Sequence, residues 1–177
     1  MTRVVGAQGE IAGKPNMAEL PVWTDISRLR AEWRGLSSAQ WLSEAQRQLA
    51  ALTQSQTLAS PEARLRRYVE AQSFVECTTL EFYRLNNGPN SGPYKKVAED
   101  LLNAVERTQD SYLTKFETIP SVKAWRAKVG DDASCSFESW SGTNYVFCLS
   151  DSETQSNRPA FRISVDPSND AFALLEG

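Results

Sequence analysis

No histidine stands anywhere in the 177 residues. A Ser-His-Asp or Cys-His nucleophile is therefore impossible within the chain, and the side chain best suited to shuttle protons near neutral pH is missing too. Cysteine is scarce: Cys77, Cys135 and Cys148, with no CxxC spacing, so the sequence predicts no metal site. No run of about 18 apolar residues exists, and none of the sequence reads as a membrane span. Both common phosphate cradles, the P-loop and the dinucleotide fingerprint, are absent, and no cofactor is expected. Paired carboxylates remain as a catalytic option. Glu99/Asp100 and Asp131/Asp132 are adjacent in sequence, however, and adjacent side chains do not converge on one point of a helix or strand. These absences move the expected chemistry from catalysis to binding.

What is present is ordinary globular material, 41% hydrophobic and 23% charged. The opening residues, MTRVVGAQGEIAGKPNM, lack the apolar core of a secretory signal, and residues 1–18 read as a flexible leader. Residues 19–177 read as a single α+β domain, with helices over about 25–129 and a sheet over about 134–175. The net charge of −3 is unevenly spread. Asp131 to Gly177 holds two Lys/Arg against eight Asp/Glu, a net of −6, which disfavours nucleic acid there and suits a basic protein partner. The cluster Arg64, Arg66 and Arg67 sits between Glu62 and Glu70 without stacking aromatics, and reads as a solvated helix face.

The helical half is expected to be a bundle of four to five helices. Val22, Ile26, Leu29, Trp33 and Leu36 recur at helical spacing, predicting a helix over about 25–34. Ser37 and Gln40 have capping-box spacing ahead of a second helix from Ser38 to about Gln54. Ser60-Pro61-Glu62 opens a third, expected to continue to Asn86-Asn87-Gly88-Pro89. A fourth is expected from about Tyr94 to Phe116 and a short fifth from Ser121 to Lys128, ended by Gly130. After Asp131 the apolar period changes to two, through Cys135, Phe137, Tyr145, Phe147, Phe161, Ile163, Val165, Phe172 and Leu174. That pattern predicts a small antiparallel β-meander of three or four strands.

The turn at Ser141 decides how the cysteines meet. A two-residue loop of Ser141-Gly142 pairs Trp140 with Thr143 and brings Cys135 opposite Cys148, within disulfide reach at about 4.5 Å between Cα atoms. A four-residue loop, Ser141 to Asn144, would separate them. A Cys135–Cys148 disulfide would imply an extracytoplasmic compartment, and free thiols an intracellular one.

Several residues in this region follow a family pattern: Leu85-Asn86, Tyr94-Lys95-Lys96, Ala124-Trp125-Arg126, Cys135-Ser136-Phe137-Glu138, Gly142-Thr143, Cys148-Leu149, Thr154 and Arg158. From about Cys77 to Arg158 the chain resembles the LprI-type lysozyme inhibitors, small secreted or lipid-anchored bacterial proteins that bind and block lysozyme. The resemblance implies a non-enzymatic inhibitor of a muramidase. The residues then expected to meet the partner are Glu138, Trp140, Gly142 and Thr143 at the hairpin tip, and Asp151 and Glu153 in the following turn. The alternative is an accessory subunit or adaptor of a larger assembly. It would dock through its Trp-rich N-terminal helices, with Trp23 and Trp33 as anchors, because tryptophan is enriched at interface hot spots.

Overall fold

A computed structural model describes residues 22–55, 57, 60–87, 92–154 and 158–175; the expected leader lies outside them. The chain is α+β: among the described residues six helices precede a four-stranded antiparallel sheet. It divides after Leu36 into two units. In the first, α1 (Val22–Trp33) carries an Arg28–Glu32 ion pair one turn apart at 3.3 Å. Of its described side chains Ile26 and Trp33 are buried, and the Trp23 side chain lies outside the described residues.

The second unit contains α2 (Ser38–Ser55), α3 (Pro61–Cys77), α4 (Thr79–Asn87), α5 (Gly92–Phe116) and α6 (Pro120–Val129). Their starts follow local chemistry. At α2 the capping box closes both ways: the Gln40 amide N–H donates to Ser37 Oγ at 3.2 Å, and the Ser37 N–H donates to Gln40 Oε1 at 2.9 Å. At α3, Ser60 accepts from the Ala63 N–H at 3.3 Å, with Pro61 in the first turn. At the end of α6, Gly130 takes φ +60°, a conformation open to glycine because it lacks a Cβ, and leads through a short 3₁₀ turn, Gly130–Asp132, into the sheet.

The expected third helix is in fact two. Cys77 ends α3 and Thr79 begins α4, with Thr78 at φ −114°, ψ 30° between them. Two adjacent threonines cause the break. Thr78 Oγ1 donates to the Phe74 carbonyl at 2.7 Å, and Thr79 Oγ1 donates to the Glu76 carbonyl at 2.9 Å. Hydroxyls that compete for helix carbonyls, on β-branched residues, favour a bend over a continuous ladder.

The sheet runs β1 (Ser134–Ser141), β2 (Asn144–Ser150), β3 (Phe161–Val165) and β4 (Phe172–Leu175), each strand beside its sequence neighbour. Tyr145, Phe147, Leu149, Ile163 and Val165 form its buried face. The Phe147 ring meets Tyr112 and Phe116 of α5 at 4.6 and 5.5 Å, and Tyr68 of α3 at 5.9 Å between centroids. A second ring cluster, Trp41, Phe74 and Phe82, joins α2, α3 and α4, with Trp41 centroids 5.8 and 5.0 Å from the two phenyl rings. The helix-to-sheet core is therefore largely aromatic, where edge and offset ring contacts add to the area term.

The expected disulfide does not form, and none of the three cysteines is in a disulfide. The turn residues are Gly142-Thr143, not Ser141-Gly142, because Ser141 pairs with Asn144. Gly142 takes φ +63° there. A bulge at Glu138 then shifts the register once more, so that Phe137 faces Phe147, Cys135 faces Leu149 and Cys148 faces Ser136. A one-residue slip turns side chains to opposite faces. Cys135 thus lies in the buried face and Cys148 on the other.

Candidate functional site

The hairpin tip is exposed at Ser141, Gly142 and Thr143 but braced immediately behind. The bulge puts Phe137 and Trp140, three residues apart, on one side, and their rings pack at 4.6 Å. Tyr145 closes the triangle at 5.8 Å from each ring. Burial pushes the Tyr145 phenol up to about 12. Glu138, the bulged residue, accepts two hydrogen bonds from Arg162 of β3, at 2.8 and 3.2 Å. It is therefore engaged within the sheet rather than held out to a partner.

β1 is an edge strand, and an edge leaves backbone groups unpaired. Gln72 of α3 fills this role for Phe137. Its Nε2 donates to the Phe137 carbonyl at 2.9 Å, and its Oε1 accepts the Phe137 N–H at 3.0 Å. The same Oε1 accepts from the Tyr68 hydroxyl, which in turn accepts from Gln109 Nε2 at 3.0 Å. A helix side chain thus pairs with the strand as a neighbouring strand residue would, next to the bulge that sets the tip. Nothing in the local sequence marks Gln72 for this task, since its partner lies 65 residues away.

The second expected partner-binding segment sits elsewhere. Asp151 and Glu153 follow the β2 end that pairs with Ser134, at the far end of the hairpin from Gly142. Seven residue steps of strand separate the two ends, about 23 Å. The tip and the Asp151–Glu153 turn therefore do not converge on one cleft. The turn is also internally occupied: Asp151 Oδ2 accepts from Trp125 Nε1 at 2.7 Å, and Asp151 Oδ1 accepts the Glu153 N–H at 2.9 Å. Asp132 accepts from the Ser152 N–H and hydroxyl at 3.0 and 2.7 Å, bonds that hold its carboxyl below the usual range.

Of the expected tryptophan anchors, Trp33 is buried at 4% exposure, so its indole offers no outward surface. Among the described residues the most exposed large apolar side chains are instead Leu80 and Tyr83, one turn apart on α4 and 84% and 68% exposed, ahead of Leu174 and Leu175 of β4.

A pocket of about 370 Å³ opens among the end of α2, the start of α3, α5 and the β3–β4 turn. Arg64, Arg107 and Lys115 line it with one carboxylate, Asp170. Lys115 is hydrogen-bonded to Asp170, and Arg64 lies 4.0 Å from the same carboxylate. Asp170 reaches this position from a left-handed turn residue, φ 65°, whose N–H donates to the Asp166 carbonyl at 2.8 Å. Arg64, expected on a solvated helix face, lines this pocket instead. The available signal was the spacing Arg107, Ser111, Lys115, which aligns three polar side chains along one face of a helix. Among the described residues no group of three or more Cys, Asp or Glu side chains is placed to hold a metal ion, and no helix is long and apolar enough to cross a membrane. Comparison with protein-family models, curated proteins and solved structures finds no match to this chain.

Proposed function

We propose that this chain is a non-catalytic protein-binding module whose β1–β2 tip enters a cleft of a basic protein partner, with a muramidase of the lysozyme type as its specific form. The observation that carries the reading is the combination at the tip. Ser141, Gly142 and Thr143 are exposed, while the residues behind them are fixed by ring packing and by the Gln72 clamp. A loop ordered before it meets its partner avoids much of the entropy cost of association. The −6 charge of the segment from Asp131 to Gly177 favours encounter with a basic surface. The test is cell-wall lysis by lysozyme in the presence of the purified chain. Lysis should fall at micromolar excess and recover when Thr143→Trp blocks the tip. Unchanged lysis overturns the muramidase reading.

A second reading, an accessory subunit, is favoured by Leu80 and Tyr83 on α4. Two large apolar side chains one turn apart are the usual start of a helix-borne docking stripe. Leu80→Ser should then abolish co-purification with a defined partner while leaving the fold intact; retention of the partner removes this reading.

A further inference from the structure

We infer that the pocket between α2, α3 and α5 is a binding site for a small phosphomonoester, independent of the hairpin. The charge count comes first. Arg64, Arg107 and Lys115 against Asp170 leave a local net of +2, in a chain whose overall charge is −3. A concentration of cations against the sign of the whole molecule, inside a concave site, focuses the field on an anionic ligand.

The arrangement distinguishes the cations. Asp170 holds Lys115 and stands 4.0 Å from Arg64, which fixes these two on one side of the opening. Arg107 forms no ion pair among the described residues, so its guanidinium retains its donors for a ligand. Along α5, Arg107 and Lys115 are eight residues apart, about 12 Å between Cα atoms, with the exposed Ser111 hydroxyl midway. Two long cationic side chains at the ends of that span, on either side of a hydroxyl, all three lining the pocket, suit one tetrahedral oxyanion. A phosphomonoester carries −1.5 to −2 near neutral pH and offers three acceptor oxygens. It matches the +2 of the pocket, whereas a single carboxylate leaves positive charge uncompensated. Arginine presents a planar fork suited to two of those oxygens.

The remaining wall sets the body of the ligand. Leu52 and the Tyr112 ring supply apolar surface, and about 370 Å³ is at the small end of ligand pockets. The ligand class is thus a phosphate on a compact apolar or aromatic group.

Calorimetric titration of the full chain with phenyl phosphate, inorganic phosphate and benzoate tests this. Phenyl phosphate should bind most tightly and benzoate at least about tenfold more weakly, since only the former supplies a dianion. Arg107→Gln should weaken phenyl phosphate about tenfold or more, the value of a charge-assisted hydrogen bond, with far-ultraviolet dichroism unchanged. Arg47→Gln, which changes an arginine outside the pocket, should leave binding unaltered. The proposal is overturned by absence of heat at millimolar phenyl phosphate, by equal affinity of the Arg107→Gln protein, or by equal weakening in Arg47→Gln, which would mark a diffuse charge effect. Lysis inhibition is not expected to change in Arg107→Gln.

Discussion

Replacing Gln72 by leucine removes the clamp on β1 with little change in volume. Gln72 is 5% exposed, so water does not readily replace its amide. Four groups lose a partner: the Phe137 N–H, the Phe137 carbonyl, the Tyr68 hydroxyl as donor, and the Glu76 carboxylate, which is exposed and returns to water, leaving three to count. An unsatisfied buried polar group costs about 1–3 kcal/mol. The full sum would approach 9 kcal/mol, but β1 is an edge and Phe137 is half-buried, so solvent recovers part of it. The leucine side chain also gains about 1 kcal/mol of apolar transfer. The expected net destabilisation is about 3 kcal/mol, a fall of about 6–12 °C in Tm for a domain of this size. Urea unfolding gives the free energy, and amide hydrogen exchange locates it. Protection of the Phe137 amide should fall more than that of Phe147, which keeps its strand partners on both sides. A change below about 0.5 kcal/mol, with Phe137 still protected, would refute the account of Gln72 as a surrogate strand. If the tip acts as proposed, the same variant should inhibit more weakly, because a loosened bulge restores the entropy cost of ordering the turn.

Other expectations are more direct. Under non-reducing conditions the intact mass should equal the mass after reduction, with three alkylatable thiols in the unfolded chain; a two-hydrogen difference would contradict the register at Glu138. In the native state Cys135 should react slowest even in mild alkali, because burial pushes its thiol pKa up and thiolate is the reactive form. Burial likewise raises Tyr68, Tyr112 and Tyr145 in the folded chain. Above pH about 10 the unfolded chain releases phenolic protons that the folded chain keeps, so stability should be full below that pH. It should then fall by up to about 1.4 kcal/mol per pH unit for each tyrosine. Phenolate absorbance for these three should rise together with unfolding, and a rise ahead of it would count against their burial. Ser60→Ala should cost about 1 kcal/mol in urea unfolding by uncapping α3.

The helical starts were legible because their chemistry is local. Ser37 with Gln40 and Ser60 with Pro61 each act within four residues. The change to a period of two was legible for the same reason, since alternation reports one buried face without knowledge of what covers it. The split at Thr78 was present in the sequence as a Thr-Thr pair, but helical periodicity runs across it and outweighs a single bend. What was not legible depends on distant partners. Gln72 meets Phe137 across 65 residues, and Arg64 meets Asp170 through the β3–β4 turn.

The cysteines show how small the deciding quantity is. Placing the turn at Gly142-Thr143 rather than Ser141-Gly142 keeps a two-residue loop and moves the pairing by two, which preserves the faces. The bulge at Glu138 then takes one back, and that odd step alone turns Cys148 away from Cys135. A disulfide and a free buried thiol are thus separated by one residue. The aromatic contact between Phe137 and Trp140 and the Glu138–Arg162 pair accompany that step. Deleting Ser136 should therefore leave Phe137 opposite Phe147 and bring Cys135 opposite Cys148 in an oxidising buffer, with the bulge and its ring contact retained. Formation of that bond in the deletion variant, and its absence in the parent chain, is the outcome this geometry requires. If the deletion variant folds with both thiols still free, the one-residue offset is not what separates them.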